Sequence, residues 1–254
     1  MTTYKELCIL SGRNALITGA SGGLGKVFAD TLGELGANLI LVDLPGTSLE
    51  DLASKMKEKW KVKVNYYEID LEIEKQRKNL IDNVIKELDQ LNILVNNAGV
   101  ASGSIFQMTQ LSDLEKNMRI NFFSTIYFSQ SISRLMSKNS SGSIINITSI
   151  SGILGGVGTL SYGSSKAALN FATKNMAIEL GKFNIRVNAI APSVTKTDMH
   201  NQMDKTAIDK LIDNSAFKRV AEPIEIANVA LFLASDMSSY MTAQVLRVDG
   251  GLLI

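Results

Sequence analysis

Seven short apolar runs recur along the chain, separated by stretches in which apolar residues return every three or four positions. The runs are "ALITG" (15–19), "NLILVD" (38–43), "VNYYEID" (64–70), "NILVNNA" (92–98), "SIINIT" (143–148), "IRVNAIA" (185–191) and "QVLRVD" (244–249). Most lack strict alternation, as strands covered on both faces do. Between the second and third, Leu49, Leu52, Ala53, Met56 and Trp60 fall on one stripe of a helix. Strand–helix alternation of this kind predicts a parallel sheet with right-handed crossovers. No low-complexity linker or internal repeat marks a boundary, and only three prolines occur. The expected fold is α/β: one doubly wound domain over residues 1–254, with seven parallel strands and helices on both faces.

Two regions break the rhythm. Residues 193–215 form a long, mostly polar insertion after the sixth strand; insertions of this length in compact domains serve as lids or binding loops, so a substrate lid is expected there. The other region is the helix after Tyr162. Ala167, Ala168, Leu169, Phe171, Ala172, Met176, Ala177, Ile178 and Leu180 leave it apolar nearly all round, as for a helix buried on two sides. One side can face the sheet and the other a partner subunit. Together with "NFFSTIYFSQSI" (121–132) it predicts paired helices at an interface between copies of this chain, in a homotetramer or, as the alternative, a dimer.

Composition narrows the possible partners. The chain is 45% hydrophobic and 20% charged, ordinary for a soluble globular protein. A net charge of +1 gives no reason to expect nucleic acid or an anionic membrane as partner. The basic run at 55–63 reads as the solvated face of an amphipathic helix. Cys8 is the only cysteine, which excludes an intramolecular disulfide and a cysteine zinc cluster, and no metal site is expected. Neither a signal-type start nor an apolar run of membrane-spanning length is present, so a cytoplasmic protein is expected.

The first run leads through "TGASGGLG" (18–25) into a helix. Glycines at 19, 23 and 25 permit a tight turn and close approach of backbone to a diphosphate, which the helix N-terminus would face. A purely structural turn is the alternative. Asp43 closes the second run 24 residues after Gly19, near the spacing of a carboxylate that takes ribose hydroxyls. Such a carboxylate repels a 2′-phosphate, and positions 44–48 offer no Arg or Lys to hold one. Lys26 lies on the helix. NAD is therefore expected over NADP, unless Asp43 merely caps the next helix.

Tyr162 and Lys166 stand four apart in "YGSSK", with only small residues between them. On a helix they share one face. A cation beside a phenol favours the phenolate and is expected to lower the tyrosine pKa. Taken alone, such a pair is more often structural than chemical.

These motifs resemble the short-chain dehydrogenase/reductase family over essentially the whole chain, in their type and in their order. "TGASGGLG" is similar to the family's cofactor turn, with Gly19, Ser21, Gly23, Leu24 and Gly25 as its cofactor-contacting members. "NNAG" is similar to its fourth-strand motif, bringing Asn97, Ala98 and Gly99 to the cofactor. "YGSSK" matches Tyr-x-x-x-Lys, and Ser149 lies the usual thirteen residues before Tyr162. Asn121 falls where the family places a catalytic asparagine. "RVNAIAP", "TDM", "RVAEPIEIANVALFLASD" and "RVDGG" are closest in flavour to the 3-oxoacyl-carrier-protein reductase type. One departure is Pro192-Ser193, where the family usually has Pro-Gly.

The resemblance implies a Rossmann-type, NAD(H)-dependent oxidoreductase that interconverts a secondary alcohol and a ketone. In it Tyr162 gives or takes the proton and Ser149 orients the substrate oxygen. Lys166 holds the nicotinamide ribose, and Asn121 props a water that links Lys166 to solvent. Asp70 and Leu71 would meet the adenine, although a strand-end Asp also forms turns. Pro192, Val194 and Thr197 would hold the carboxamide end. His200, the only histidine, reads as an exposed loop residue, and Met199 and Met203 either line an adaptable pocket or pack the lid. The alternative reading is a catalytically silent NAD-sensing protein.

Overall fold

The alternating runs become a seven-stranded parallel sheet with the order β3-β2-β1-β4-β5-β6-β7. The structure, a computed structural model, describes residues 3–198 and 205–252. Its strands are β1 (Asn14–Thr18), β2 (Asn38–Asp43), β3 (Val64–Glu68), β4 (Ile93–Asn96), β5 (Gly142–Ile147), β6 (Ile185–Pro192) and β7 (Val245–Val248). The helices are α1 (Tyr4–Cys8), α2 (Gly23–Glu34), α3 (Leu49–Trp60), α4 (Glu74–Glu87), α5 (Leu111–Met118), α6 (Thr125–Lys138), α7 (Leu160–Leu180), α8 (Lys205–Asp213) and α9 (Pro223–Ala234). The short α1 carries a Thr3–Glu6 capping box, a signal that the apolar pattern does not contain.

Successive side chains of each strand go to opposite faces of the sheet, and both faces are covered. Ala15, Ile17, Leu39, Leu41, Ile93 and Val95 pack with Phe28 and Leu32 of α2 and with Ile226 and Leu233 of α9. Leu16, Ile40, Val42, Leu94 and Ile144 pack with Val84 of α4, Phe128 and Ile132 of α6 and Ala177 of α7. That double burial is why the strands read as unbroken apolar runs. The predicted stripe on α3 also holds: Leu49, Leu52, Ala53 and Met56 are buried. Trp60 packs at the rim of the first cluster and donates its indole N–H to Asp30 Oδ1.

Strand order reverses between β1 and β4, each of which pairs the other. At such a switch point the connections leave in opposite directions and open a crevice beyond the carboxyl ends of the strands. A buried polar chain fixes the elements around it. Asn96 Nδ2 donates to Ser129 Oγ at 2.9 Å and to Asn146 Oδ1 at 2.8 Å, and Asn146 Nδ2 donates to Thr173 Oγ1 at 2.9 Å. Unpaired, these groups would cost far more than apolar replacements; paired, they lock α6 and α7 in register against β4 and β5.

The insertion at 193–215 differs from a plain loop, because α8 occupies 205–213 of it. Ile208 is buried beneath that helix while its polar face meets solvent, so the mostly polar composition concealed an amphipathic turn pattern. Met199, His200 and Met203 lie outside the described residues.

Candidate active site

The glycine turn follows β1. Gly19 has φ +63°, and a Cβ there would stand 2.9 Å from the Ala98 backbone. At Gly25 a Cβ would collide with the Gly19 carbonyl oxygen. Both positions require glycine, and the turn they make lays backbone open at the N-terminus of α2. The N-cap of that helix, Gly22, supplies no side-chain bond, so the first-turn N–H groups face the crevice without a capping acceptor. Leu24 packs against the first core cluster. Thr197 leans over this turn: a Cβ on Gly23 would lie 2.8 Å from its side chain.

Asp43 ends β2 with both carboxylate oxygens engaged. Its Oδ2 accepts from the Ser21 amide at 2.8 Å and the Ser21 hydroxyl at 2.5 Å, and its Oδ1 accepts from the Leu44 amide at 2.8 Å. Asp43 does not cap α3, whose N-cap residue Ser48 also makes no capping bond. Lys26 is exposed on α2. Asp70 Oδ1 accepts from the Glu72 amide at 2.8 Å, the turn-forming role, and the Leu71 carbonyl accepts from Ser124 Oγ at 3.0 Å.

Beyond β4, Asn97 Nδ2 donates to the carbonyls of Thr18 (3.1 Å) and Gly19 (2.8 Å). The Thr18 hydroxyl accepts from the amides of Asn97 and Ala98, each at 3.1 Å. Thr18 thus stitches the two turns of the crevice together; sequence reading missed it, although it opens the glycine motif. Asn121 is fully buried on a π-helical turn, Arg119–Ser124, between α5 and α6. Its Nδ2 donates to Val100 O at 2.9 Å and Ser165 Oγ at 3.0 Å, and its Oδ1 accepts from Val100 N at 2.8 Å. The extra residue of a π turn re-aims a side chain without ending the helix. At Gly99 a Cβ would lie 3.0 Å from Asn121 Oδ1 and 3.3 Å from Lys166 Nζ, so this glycine keeps the space between them open.

Tyr162 and Lys166 come together on α7 as their spacing implies, and Ser149 joins them as the family resemblance implies. Ser149 follows β5, its hydroxyl accepts from the Ser151 amide at 3.1 Å, and it stands near enough to the Tyr162 phenol to influence its titration. Two glycines bring the segments close: a Cβ on Gly152 would sit 2.7 Å from Lys166 backbone, and one on Gly163 would sit 2.6 Å from Ser151 O. Lys166 is buried, with Nζ 5.7 Å from the Tyr162 ring centroid and donating to Ile147 O at 2.9 Å. Burial pulls its pKa from 10.5 down to about 8.

Here one expectation needs correcting. Burial raises the Tyr162 pKa, and the opposing influence is the Ser149 hydrogen bond rather than Lys166. The ammonium lies over the ring and is committed to a carbonyl, while desolvation penalises the phenolate directly. Without further positive charge, Tyr162 is a protonated donor at neutral pH.

At the far side, buried Pro192 ends β6 and the Ser193 amide donates to Val248 O at 3.1 Å. Ser193 does not take a left-handed φ, so the absent glycine costs nothing there. Val194 O accepts from the Ala221 amide at 3.0 Å, and Thr197 Oγ1 donates to Thr195 O at 3.2 Å. The residues fit a nicotinamide dinucleotide: a backbone cradle that cannot hold a Cβ, uncapped helix amides, a carboxylate at the end of β2, and two hydroxyls beside a buried amine.

A family model described as Enoyl-(Acyl carrier protein) reductase matches residues 19–253. The chain belongs to the short-chain dehydrogenase/reductase family. Within it, the chain is of the 3-oxoacyl-carrier-protein reductase-like kind. It is 34% identical to 3-oxoacyl-[acyl-carrier-protein] reductase FabG of Aquifex aeolicus (strain VF5), over 96% of this chain and 98% of the relative. A solved 7α-hydroxysteroid dehydrogenase complexed with NADH and 7-oxo glycochenodeoxycholic acid superposes with a TM-score of 0.90 at 33% identity, covering 100% of this chain and 98% of that one. An NADPH-dependent 3-quinuclidinone reductase from Rhodotorula rubra reaches 0.92 at 29% identity, over 99% and 95%. This short-chain dehydrogenase/reductase is accordingly an oxidoreductase acting on CH–OH and C=O groups with a nicotinamide cofactor.

Proposed function

We propose that the protein is an NAD(H)-dependent oxidoreductase that interconverts a secondary alcohol and a ketone, with Tyr162 as general acid in reduction and general base in oxidation. The observation that carries this reading is the convergence of the Ser149 and Tyr162 hydroxyls with the buried amine of Lys166, whose Nζ lies 5.7 Å from the Tyr162 ring centroid. When bound, the nicotinamide supplies or accepts the hydride. Ser149 donates to the substrate oxygen as negative charge develops on it. Tyr162 then gives that oxygen its proton. In oxidation the same phenol must lose a proton against its burial, which requires positive charge nearby. The oxidised nicotinamide would supply it when bound; Lys166 orients the cofactor ribose, and Asn121 holds the water through which Lys166 exchanges protons with solvent.

Gly19, Ser21, Gly23, Leu24 and Gly25 hold the diphosphate side. Asp70, Leu71, Asn97, Ala98 and Gly99 flank the adenine and its ribose, while Pro192, Val194 and Thr197 take the carboxamide side. Residues 193–215 act as the lid. Asp43 selects NAD: its carboxylate, oriented by Ser21, accepts from a ribose 2′-hydroxyl and repels a 2′-phosphate. The solved relative in complex with NADH and the NADPH-dependent one both superpose well, so the fold does not discriminate and the reading rests on this residue. NADH is expected to exceed NADPH in kcat/KM, and Asp43→Ala to narrow that ratio by about tenfold or more. A native preference for NADPH contradicts the assignment.

Phe123 (58% exposed), Phe171 (67%) and Ile178 (76%) lie bare on α7 and the turn before α6. Apolar surface of this kind is covered by a second copy, as homotetramer or dimer. Light scattering at micromolar concentration is expected to return a multiple of the 27.6 kDa chain mass; a monomer contradicts the interface.

A further inference from the structure

We infer that the site takes neutral, largely apolar ketones and alcohols and turns away substrates with an anionic group next to the reacting carbon. The inference deepens the oxidoreductase reading above and rests on it.

Two loops leave the neighbouring strands β4 and β5 on either side of the Ser149–Tyr162 pair. Neither carries a charge: no Asp, Glu, Lys, Arg or His occurs from 97 to 112 or from 142 to 165. Their polar groups are mostly spent internally. Ser102 Oγ accepts from Asn117 Nδ2 at 2.5 Å, Ser104 Oγ donates to Thr109 Oγ1 at 3.2 Å, and Thr159 Oγ1 donates to Gly156 O at 2.8 Å. Beside the neutral Gln107, Gln110 and Ser112, the loops expose apolar side chains: Ile105, Met108 and Ile153, with Phe106 77% and Val157 91% exposed.

The loops also touch. A Cβ at Gly103 would collide with the carbonyl oxygen of Gly158, which itself has φ +76°. Backbone meets backbone there, which sets the two apolar stretches side by side, and the β5 stretch is the segment that joins Ser149 to Tyr162 along the chain. Lys166, the cation nearest those hydroxyls, is buried and bonded to Ile147 O. On the lid side Lys196 pairs with Glu222 at 3.4 Å and Arg219 with Glu225 at 2.7 Å, while exposed Lys205 and Lys210 ride on α8. A carboxylate beside the reacting carbon would give up its water on this wall, and neither loop offers it a cation. Methylene and ring carbons gain the contact.

The test is reduction by NADH of cyclohexanone, a fused-ring decalone and a 2-oxo acid of matched carbon number. The expected kcat/KM rises roughly fourfold for each additional buried methylene, and the oxo acid falls at least about tenfold below its neutral match. An oxo acid used as well as or better than the neutral ketone overturns the inference and leaves the oxidoreductase reading standing. If the protein binds NADH yet reduces no ketone, the oxidoreductase reading falls instead. Titrating the same ketones into the NADH-loaded protein then decides the ligand class: affinity that follows methylene count upholds it, and its absence overturns it. In Val157→Asp, at a position too exposed to disturb folding, KM for the decalone is expected to rise about tenfold with NADH affinity unchanged. An unchanged KM removes the β5 loop from the wall.

Discussion

Replacing Tyr162 by phenylalanine is expected to lower kcat by about a hundredfold to ten-thousandfold, the range for loss of a positioned general acid, while NADH binds as before. The ring keeps its place on α7, between the close approach at Gly163 and the Lys166 amine. Only the hydroxyl that meets Ser149 is lost. Burial holds that phenol protonated in the free protein, which suits donation to a ketone oxygen. A loss confined to kcat identifies a transition-state interaction, whereas a parallel loss of NADH affinity would mean that the cofactor site had been disturbed. Undiminished turnover in the variant removes Tyr162 from proton transfer. Tight NADH binding by the native protein with no turnover favours the NAD-sensing alternative.

Lys166→Met is expected to cost about a hundredfold or more in kcat and to change how stability depends on pH. The native lysine is almost fully buried with a pKa near 8, against 10.5 for the free group. Between those values the unfolded chain binds more protons than the folded one, so stability rises with pH there. The penalty for burying the charge is complete below pH 8, gone above 10.5 and roughly 3 kcal/mol in size. Methionine avoids that penalty but leaves Ile147 O without its donor, at about 1–3 kcal/mol. Unfolding measurements should therefore find the variant comparable to or more stable than the native protein at pH 7, and less stable at the alkaline end. A pH-independent difference means that Lys166 is not desolvated.

Much of this arrangement was legible in the chain because its signals are local. Apolar runs without alternation correspond to a sheet covered twice, and the glycine turn, Ser149, Tyr162 and Lys166 are set by spacings along single segments. What escaped reading depends on contacts distant in sequence. Thr18 bonds amides 79 and 80 positions away, and the Asn96–Asn146–Thr173 chain joins two strands and a helix that no periodicity connects. The π turn around Asn121 is invisible for another reason, since its residues read as ordinary helix formers. Spacing also misjudged the sense of the Tyr162 shift: it brings a cation near a phenol but carries nothing about the water that burial removes.

Transfer of deuterium from cofactor to product tests the central claim most directly. NADH carrying deuterium at both hydrogens of the nicotinamide C4 would be incubated with the native protein and an alicyclic ketone, and the alcohol analysed by mass spectrometry. The expected product carries one deuterium, on the carbinol carbon. Alcohol formed without label, or cofactor oxidised with no alcohol formed, would contradict hydride transfer at the Ser149–Tyr162 site.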